Sequence, residues 1–483
     1  MRSRPHTALA ALSCLLAGVA APAFANAEGQ ANASGPSVEQ IRADLDAVFG
    51  DLSPAGPGCV AGVKAGGRSL TVAYGQADLE HAAALSPDSV FESGSLAKQF
   101  TAAAMMLLVQ DGKLSLDDDI RLYLPEMPDY GSPITLRHLL THTSGLREQW
   151  SLLALTGAPP GTQVHDQRTI LDLASRQTGL NFTPGAEFLY TNTNYTLSAI
   201  IIARVSGQTL QDFTDQRLFR PLGMTQTRWR EDFRTVVPGR AMAYAATDTG
   251  FIANMPFTNV IGNGGLMTTA GDLLRWNAFL DHPADLPGGA ALVDALQTPG
   301  RLSDGTSLEY ALGLEVSRRQ GQTLVSHSGS TGGYKSWIGR YPERDISVVV
   351  LCNNGGDSVA RGEALIDREL RAAGYPVTDI APPSITPQPA GLPAASGDAL
   401  SAYVGTYYSR ELEVRITVAL EGDALVMRQP FAVEWPLKAG VADSFTTRLR
   451  GVTTFRFTRA ADGQINGFTA WANGARNIPF MKE

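Results

Sequence analysis

A serine and a lysine three positions apart, Ser95 and Lys98 in Ser-Leu-Ala-Lys, open a long helical pattern. That spacing puts both on one face of a helix, where the amine can reach the hydroxyl and ease removal of its proton. A helix start adds free N–H groups and the positive end of the macrodipole, and both favour negative charge on an attacking oxygen. Alone, the pattern is weak and reads more readily as a helix cap followed by an exposed lysine. Tyr190-Thr191-Asn192 offers a second set of groups. Its phenol could accept and return a proton, ionising more readily beside an ammonium, and its amide could orient both that amine and a carbonyl. His327-Ser328-Gly329 closes a strand pattern and runs into Ser330-Thr331-Gly332-Gly333. Glycines there let a ligand lie against the strand, and the Ser330 N–H could join the Ser95 N–H around a developing oxyanion. Taken singly, the second set reads as a turn before a helix and the third as an ordinary strand end.

The elements that must position these groups follow from periodicity. Gln40 to Phe49 is patterned as an amphipathic helix, and Cys59 to Lys64 with Ser69 to Ala77 as a hairpin around Gly66-Gly67. Helical patterns dominate from Ser95 to about Met224, and Ala97 to Gln110 is apolar on most faces, which predicts a helix buried in mid-domain. Strand patterns return at Leu312–Arg318, Thr323–Ser328, Tyr334–Tyr341 and Ile346–Cys352, before a helix from about Val359 to Ala373. Strands at both ends with helices between predict one antiparallel sheet whose parts come from distant sequence. The stretch 376–397 holds six prolines and reads as a linker. Beyond it, Tyr403–Tyr408, Val414–Leu420, Ala424–Gln429, Thr453–Thr458 and Gly467–Ala472 alternate like strands of a small antiparallel barrel or sandwich.

Composition narrows the partners. A net charge of −8 argues against nucleic acid, whose phosphates need clustered Lys and Arg. Arg2 and Arg4, an apolar run from Ala8 to Ala21 and then Ala23-Phe24-Ala25 read as a signal peptide cleaved after Ala25. The expectation is a periplasmic or secreted bacterial protein with no membrane insertion after that removal. Cys59 and Cys352 would remain, expected as buried free thiols, with a single bridge the alternative in an oxidising compartment.

Three motifs in this order, Ser95-x-x-Lys98, Tyr190-x-Asn192 and His327-Ser328-Gly329, resemble those of the penicillin-recognising serine hydrolases: class C β-lactamases, D,D-carboxypeptidases, D-aminopeptidases and related esterases. The text around them fits, in Phe91-Glu92-Ser93-Gly94, in Leu139 to Leu146 and in Gly262-Asn263-Gly264-Gly265-Leu266, and the likeness runs from about Val38 to Ala373. It implies an α+β fold, an antiparallel sheet flanked by helices plus a mostly helical subdomain, over 38–375. The linker and a β-barrel-like domain over 398–483 would follow. The resemblance implies Ser95 as nucleophile of an acyl-enzyme, with Lys98 and Tyr190 sharing proton transfer. Asn192, His327 and Gly329 would orient substrate, and the Ser95 and Ser330 N–H groups would hold the oxyanion.

Relatives that cleave β-lactams carry a lysine where this chain has His327. A histidine is largely neutral near pH 7, so it should attract a substrate carboxylate less. The expectation is a hydrolase of D-amino-acid peptides or amides, taking a small-molecule or short peptide substrate without metal or other cofactor. A broad carboxylesterase or weak β-lactamase is the alternative within the class, and a non-catalytic sensor of penicillin or cell-wall fragments the alternative outside it. His138 and His142 have metal-like i,i+4 spacing but lack the zinc-protease glutamate, and no G-x-S-x-G elbow occurs.

Overall fold

The computed structural model of the chain describes residues 35–378, 397–441 and 443–483. The expected signal segment and most of the Pro-rich stretch lie outside the described residues. Six strands build the main sheet: β1 (Cys59–Ala65), β2 (Arg68–Tyr74), β3 (Glu315–Arg319), β4 (Gln322–Thr331), β5 (Tyr334–Tyr341) and β6 (Ile346–Cys352). Their order is β3-β4-β5-β6-β1-β2, antiparallel throughout, so the N-terminal hairpin completes a sheet begun from the far end of the segment.

β1 and β6 are apolar on both faces because both faces are covered. Helices α1 (Val38–Phe49), α2 (Ala97–Gln110), α3 (Gln149–Leu155), α4 (Asn192–Ser206) and α5 (Ser358–Ala372) surround the sheet and fill the other half of the domain. Ala61, Val63, Val348 and Val350 pack with α1 and α5, while Val60, Val349 and Leu351 join the core that contains α2. This is the period-two alternation of a pleated strand. Every residue of α2 from Ala97 to Leu108 is buried, as a pattern apolar on most faces predicts. Three consecutive alanines give it strong helix propensity and allow α4 to approach closely.

Cys59 and Cys352 are directly opposed in the β1–β6 register, 4.0 Å apart at Cα, and form a disulfide. The expectation of free thiols is corrected here. No local spacing could reveal the pair, because its closeness arises from strand pairing across 293 residues. Closing so long a loop removes about 5–6 kcal/mol of unfolded-chain entropy in the simplest treatment.

The C-terminal strands close an eight-stranded antiparallel barrel from Gly405–Ser409 to Ala475–Lys482. Tyr407, Phe455, Phe457, Phe468 and Phe480 form its aromatic core. Three of its strands carry weak signals: Val433–Ala439 and Ala475–Lys482 contain Pro436 and Pro479, and Ser444–Arg448 is short. Gly35 to Glu483 make one compact unit, so the barrel is docked rather than tethered.

A buried ion pair fastens that docking. Arg147 Nη1 donates to Glu411 Oε2 at 2.7 Å, with both side chains under 5% exposed. Three of the remaining guanidinium hydrogens go to Gln177 Oε1 and to the carbonyls of Arg476 and Asn477, while Glu411 Oε1 accepts from Thr178 N at 2.8 Å. Removing one partner leaves a buried charge, so Arg147→Ala should cost about 3–5 kcal/mol. Thermal denaturation checks this: Arg147→Ala should melt well below wild type, and Arg147→Met/Glu411→Leu should recover much of the loss.

Candidate active site

Ser95 lies in a short 3₁₀ turn, Gly94–Leu96, that runs directly into α2. The turn presses against β4 at two glycines. A Cβ on Gly94, which has φ +56°, would sit 2.5 Å from Ser330 N, and one on Gly329 would sit 2.1 Å from Ser93 O and 3.1 Å from Ser95 N. Only hydrogen at both positions permits this approach, and it brings the Ser95 and Ser330 main-chain N–H groups to one end of the cleft. Ser336 Oγ ties the same turn down by donating to Ser93 O at 2.7 Å.

Lys98, one helical turn on, is wholly buried. Its Nζ lies 3.0 Å from Ser95 Oγ, 2.9 Å from Asn192 Oδ1 and 2.8 Å from the Asn263 carbonyl. Burial lowers its pKa to about 7, against the opposing pull of Glu148. The ammonium can donate to all three oxygens; once neutral, the amine keeps two N–H groups for the carbonyl oxygens and has its lone pair free for the serine proton. Asn263 belongs to the Gly-Asn-Gly-Gly loop, pinned where Thr101 Oγ1 donates to Gly262 O at 2.8 Å.

The Tyr190 ring stands 4.8 Å from Lys98 Nζ. The phenol was expected to ionise more readily there, and it does not: burial pushes its pKa up, with only a partial offset from the Ser95 hydroxyl. Desolvation outweighs a neighbouring amine that has itself been driven toward neutrality. His142 packs on the phenol with centroids 4.3 Å apart, and its Nδ1 accepts from Thr191 N at 3.3 Å. His142 therefore holds the Tyr190–Asn192 segment, while His138 completes a capping box with Thr135 at a different helix start.

His327 is buried, and its pKa is lowered to about 4 by burial and then by Lys98. Nε2 meets Tyr310 Oη at 3.0 Å and Nδ1 meets Ser328 O at 2.7 Å, so both ring nitrogens are occupied by the protein. All seven residues singled out from sequence, Ser95, Lys98, Tyr190, Asn192, His327, Gly329 and Ser330, come together here. Six of them line one cleft of about 1030 Å³ and Lys98 lies buried beneath it. Glu148, Asn263, Tyr310 and the barrel's Arg450, which also reaches the cleft wall, escaped that reading. Glu148 and Asn263 adjoin or belong to stretches whose text already stood out; Tyr310 and Arg450 carry no local signal.

A serine hydroxyl facing a buried amine, beneath a strand edge and beside a phenol, defines the penicillin-recognising class of serine hydrolase. The chain belongs to the Beta-lactamase family, whose profile matches residues 41–372. It is similar to a D-aminopeptidase of Gluconobacter oxydans, 29% identical over 378 residues, or 77% of this chain and 67% of that one. A D-aminopeptidase of Brucella canis is 30% identical over 306 residues, or 63% of this chain and 57% of that one. The chain thus spans between about half and two thirds of these relatives' lengths. The octameric penicillin-binding protein homologue from Pyrococcus abyssi shares the fold over 92% of this chain and 100% of its own, with a TM-score of 0.60 and 21% identity. The D-amino acid amidase from Ochrobactrum anthropi SV3 shares it over 69% of this chain and 98% of its own, with a TM-score of 0.58 and 24% identity.

Gly329→Ala tests the crowding directly. Its methyl group would meet backbone at 2.1 Å, which cannot be relieved by a side-chain rotation. The variant should lose about 100-fold or more in kcat/KM and label poorly at Ser95 with a fluorophosphonate, while its far-ultraviolet circular dichroism stays native.

Proposed function

We propose that the protein hydrolyses amide bonds of D-amino-acid derivatives through an acyl-enzyme on Ser95. The observation that carries the chemistry is Lys98 Nζ, buried, with its pKa lowered to about 7 and 3.0 Å from Ser95 Oγ. Ser95 Oγ attacks the carbonyl carbon as its proton passes to neutral Lys98. The carbonyl oxygen becomes an oxyanion held by the Ser95 and Ser330 N–H groups. Collapse breaks the C–N bond, and the leaving amine takes a proton from Tyr190, whose raised pKa keeps it protonated until that moment. Tyr190 is then recharged from the Lys98 ammonium. Water repeats the sequence on the acyl-enzyme and frees Ser95.

The substrate class is supported by the relatives named D-aminopeptidase. A substrate without a free carboxylate beside the scissile amide, ahead of carboxypeptidase or β-lactamase substrates, is supported by His327. The ring is neutral at working pH and both its nitrogens are occupied, so it offers no charge to a substrate carboxylate. Glu315, which also lines the cleft, adds negative charge beside β4.

Wild type should hydrolyse D-alanyl p-nitroanilide and turn over the L-isomer and a chromogenic cephalosporin far more slowly, and Ser95→Ala should abolish turnover. The kcat/KM should rise with pH through about 7, as Lys98 loses its proton, and then level off. Turnover retained in Ser95→Ala, or turnover confined to nitrophenyl esters, would overturn the proposal.

A periplasmic or secreted location belongs to the same reading. It is supported by the Arg2 to Ala25 pattern and by the Cys59–Cys352 bridge, which persists in oxidising compartments. Mass spectrometry of protein recovered from the periplasm should give a mature N-terminus at Asn26; retention of the full-length chain in the cytoplasm would count against it.

A further inference from the structure

We propose that Glu148 is a positioning residue of the Ser95–Lys98 pair, and that the Asn473–Gly474 turn of the barrel holds it in place. The inference rests on the reading of Lys98 as the group that takes the Ser95 proton. Glu148 is the N-cap of α3, and its Oε2 accepts from Ser151 N at 2.8 Å. Its Oε1 accepts from Asn192 Nδ2 at 2.9 Å. A side-chain amide can turn either way, but a carboxylate only accepts. With Nδ2 claimed by Glu148, Oδ1 must face Lys98, where it lies 2.9 Å from Nζ. The reversed amide would set a donor against the amine and an oxygen against the carboxylate. Both Glu148 oxygens are thereby engaged with protein, which suits a group acting through its neighbours.

Charge adds to geometry. Tyr190, Tyr195, His142 and His327 surround Lys98 as uncharged rings, and Glu148 supplies the opposing negative charge. Burial favours the free amine and Glu148 favours the ammonium, so Glu148 sets how far Lys98 is driven toward neutrality.

The barrel reaches Glu148 from behind. Glu148 N donates to Gly474 O at 2.8 Å, and Ser151 Oγ donates to Asn473 O at 2.6 Å. Asn181 Nδ2 also donates to Gly474 O, at 2.9 Å. Gly474 has φ +74°, and a Cβ there would sit 2.7 Å from Glu148 Cβ. The turn thus abuts the stem of the carboxylate with no room for a side chain. Contacts run unbroken from the barrel turn to Glu148, Asn192, Lys98 and Ser95.

The chain has six lysines, so ¹³Cε-lysine NMR of the full protein resolves Lys98, assigned by its loss in Lys98→Arg. Glu148→Gln should move the Lys98 titration to lower pH, and should lower kcat/KM for D-alanyl p-nitroanilide by about tenfold or more, with the rising limb of its pH profile moving the same way. Glu148→Asp, which keeps the charge, should restore the titration toward wild type. Gly474→Ala, outside the cleft lining, should lower kcat/KM with an intact fold. An unchanged Lys98 titration in Glu148→Gln, or wild-type kcat/KM in Gly474→Ala, would overturn the proposal. The NMR readout needs no substrate. If Lys98 follows Glu148 while the anilide is not hydrolysed, the substrate reading falls and this one stands.

Discussion

The burial of Lys98 is the constraint on which the rest of the site depends. An amine taken out of water sheds its proton unless charge and hydrogen bonds hold it. Here the hydrogen bonds are supplied by two carbonyl oxygens and one hydroxyl, an inventory that the neutral form satisfies completely. Each supplier requires its own scaffold. The Asn263 carbonyl needs a glycine-rich loop, the Asn192 amide needs the start of α4, and the Ser95 hydroxyl needs the turn before α2. Displacing any of them would change both where the amine lies and what its proton costs.

The same burial explains the neighbours. His142 and His327 lie in Lys98's surroundings and are both held below the usual histidine range, so the interior carries little positive charge beyond whatever Lys98 bears. Tyr190 is held protonated by desolvation. Burial thereby shifts two neighbouring groups in opposite directions, the amine toward losing its proton and the phenol toward keeping it, which suits the proposed acceptor and donor roles. The occupied ring of His327 closes off an interaction with substrate carboxylates that a lysine at that position could make. Selectivity and basicity share one physical origin.

Much of this was legible in the sequence. Ser95, Lys98, Tyr190, Asn192, His327, Gly329 and Ser330 were readable only together: each short pattern is ambiguous alone, and their order along the chain carries the resemblance. The sheet was readable because β1 and β6 are apolar over most of their length, and α2 because it is apolar on most faces. What escaped depends on distance. The Cys59–Cys352 bridge, the Tyr310 hydroxyl on His327 and the Arg147–Glu411 pair join residues whose nearness exists only after strands pair or the barrel docks. The direction of the Tyr190 shift was misjudged for a related reason: adjacency to an amine is visible in a motif, whereas the depth of burial is a property of the whole fold.

The order of strands in the sheet has a consequence for biosynthesis. Ser95 and Lys98 leave the ribosome early, whereas β4, which bears Ser330, and β6, which pairs with β1, are made more than two hundred residues later. Until those strands arrive, the serine turn lacks the Ser330 N–H beside its own, β1 lacks one of its two neighbours, and the amine lacks the His327 side of its surroundings. A growing chain with the nucleophile already exposed thus lacks part of the arrangement that would activate it. The arrangement is complete only when the end of the domain folds back onto its beginning, and a chain cut short before β6 carries every residue of the three motifs without the assembled site.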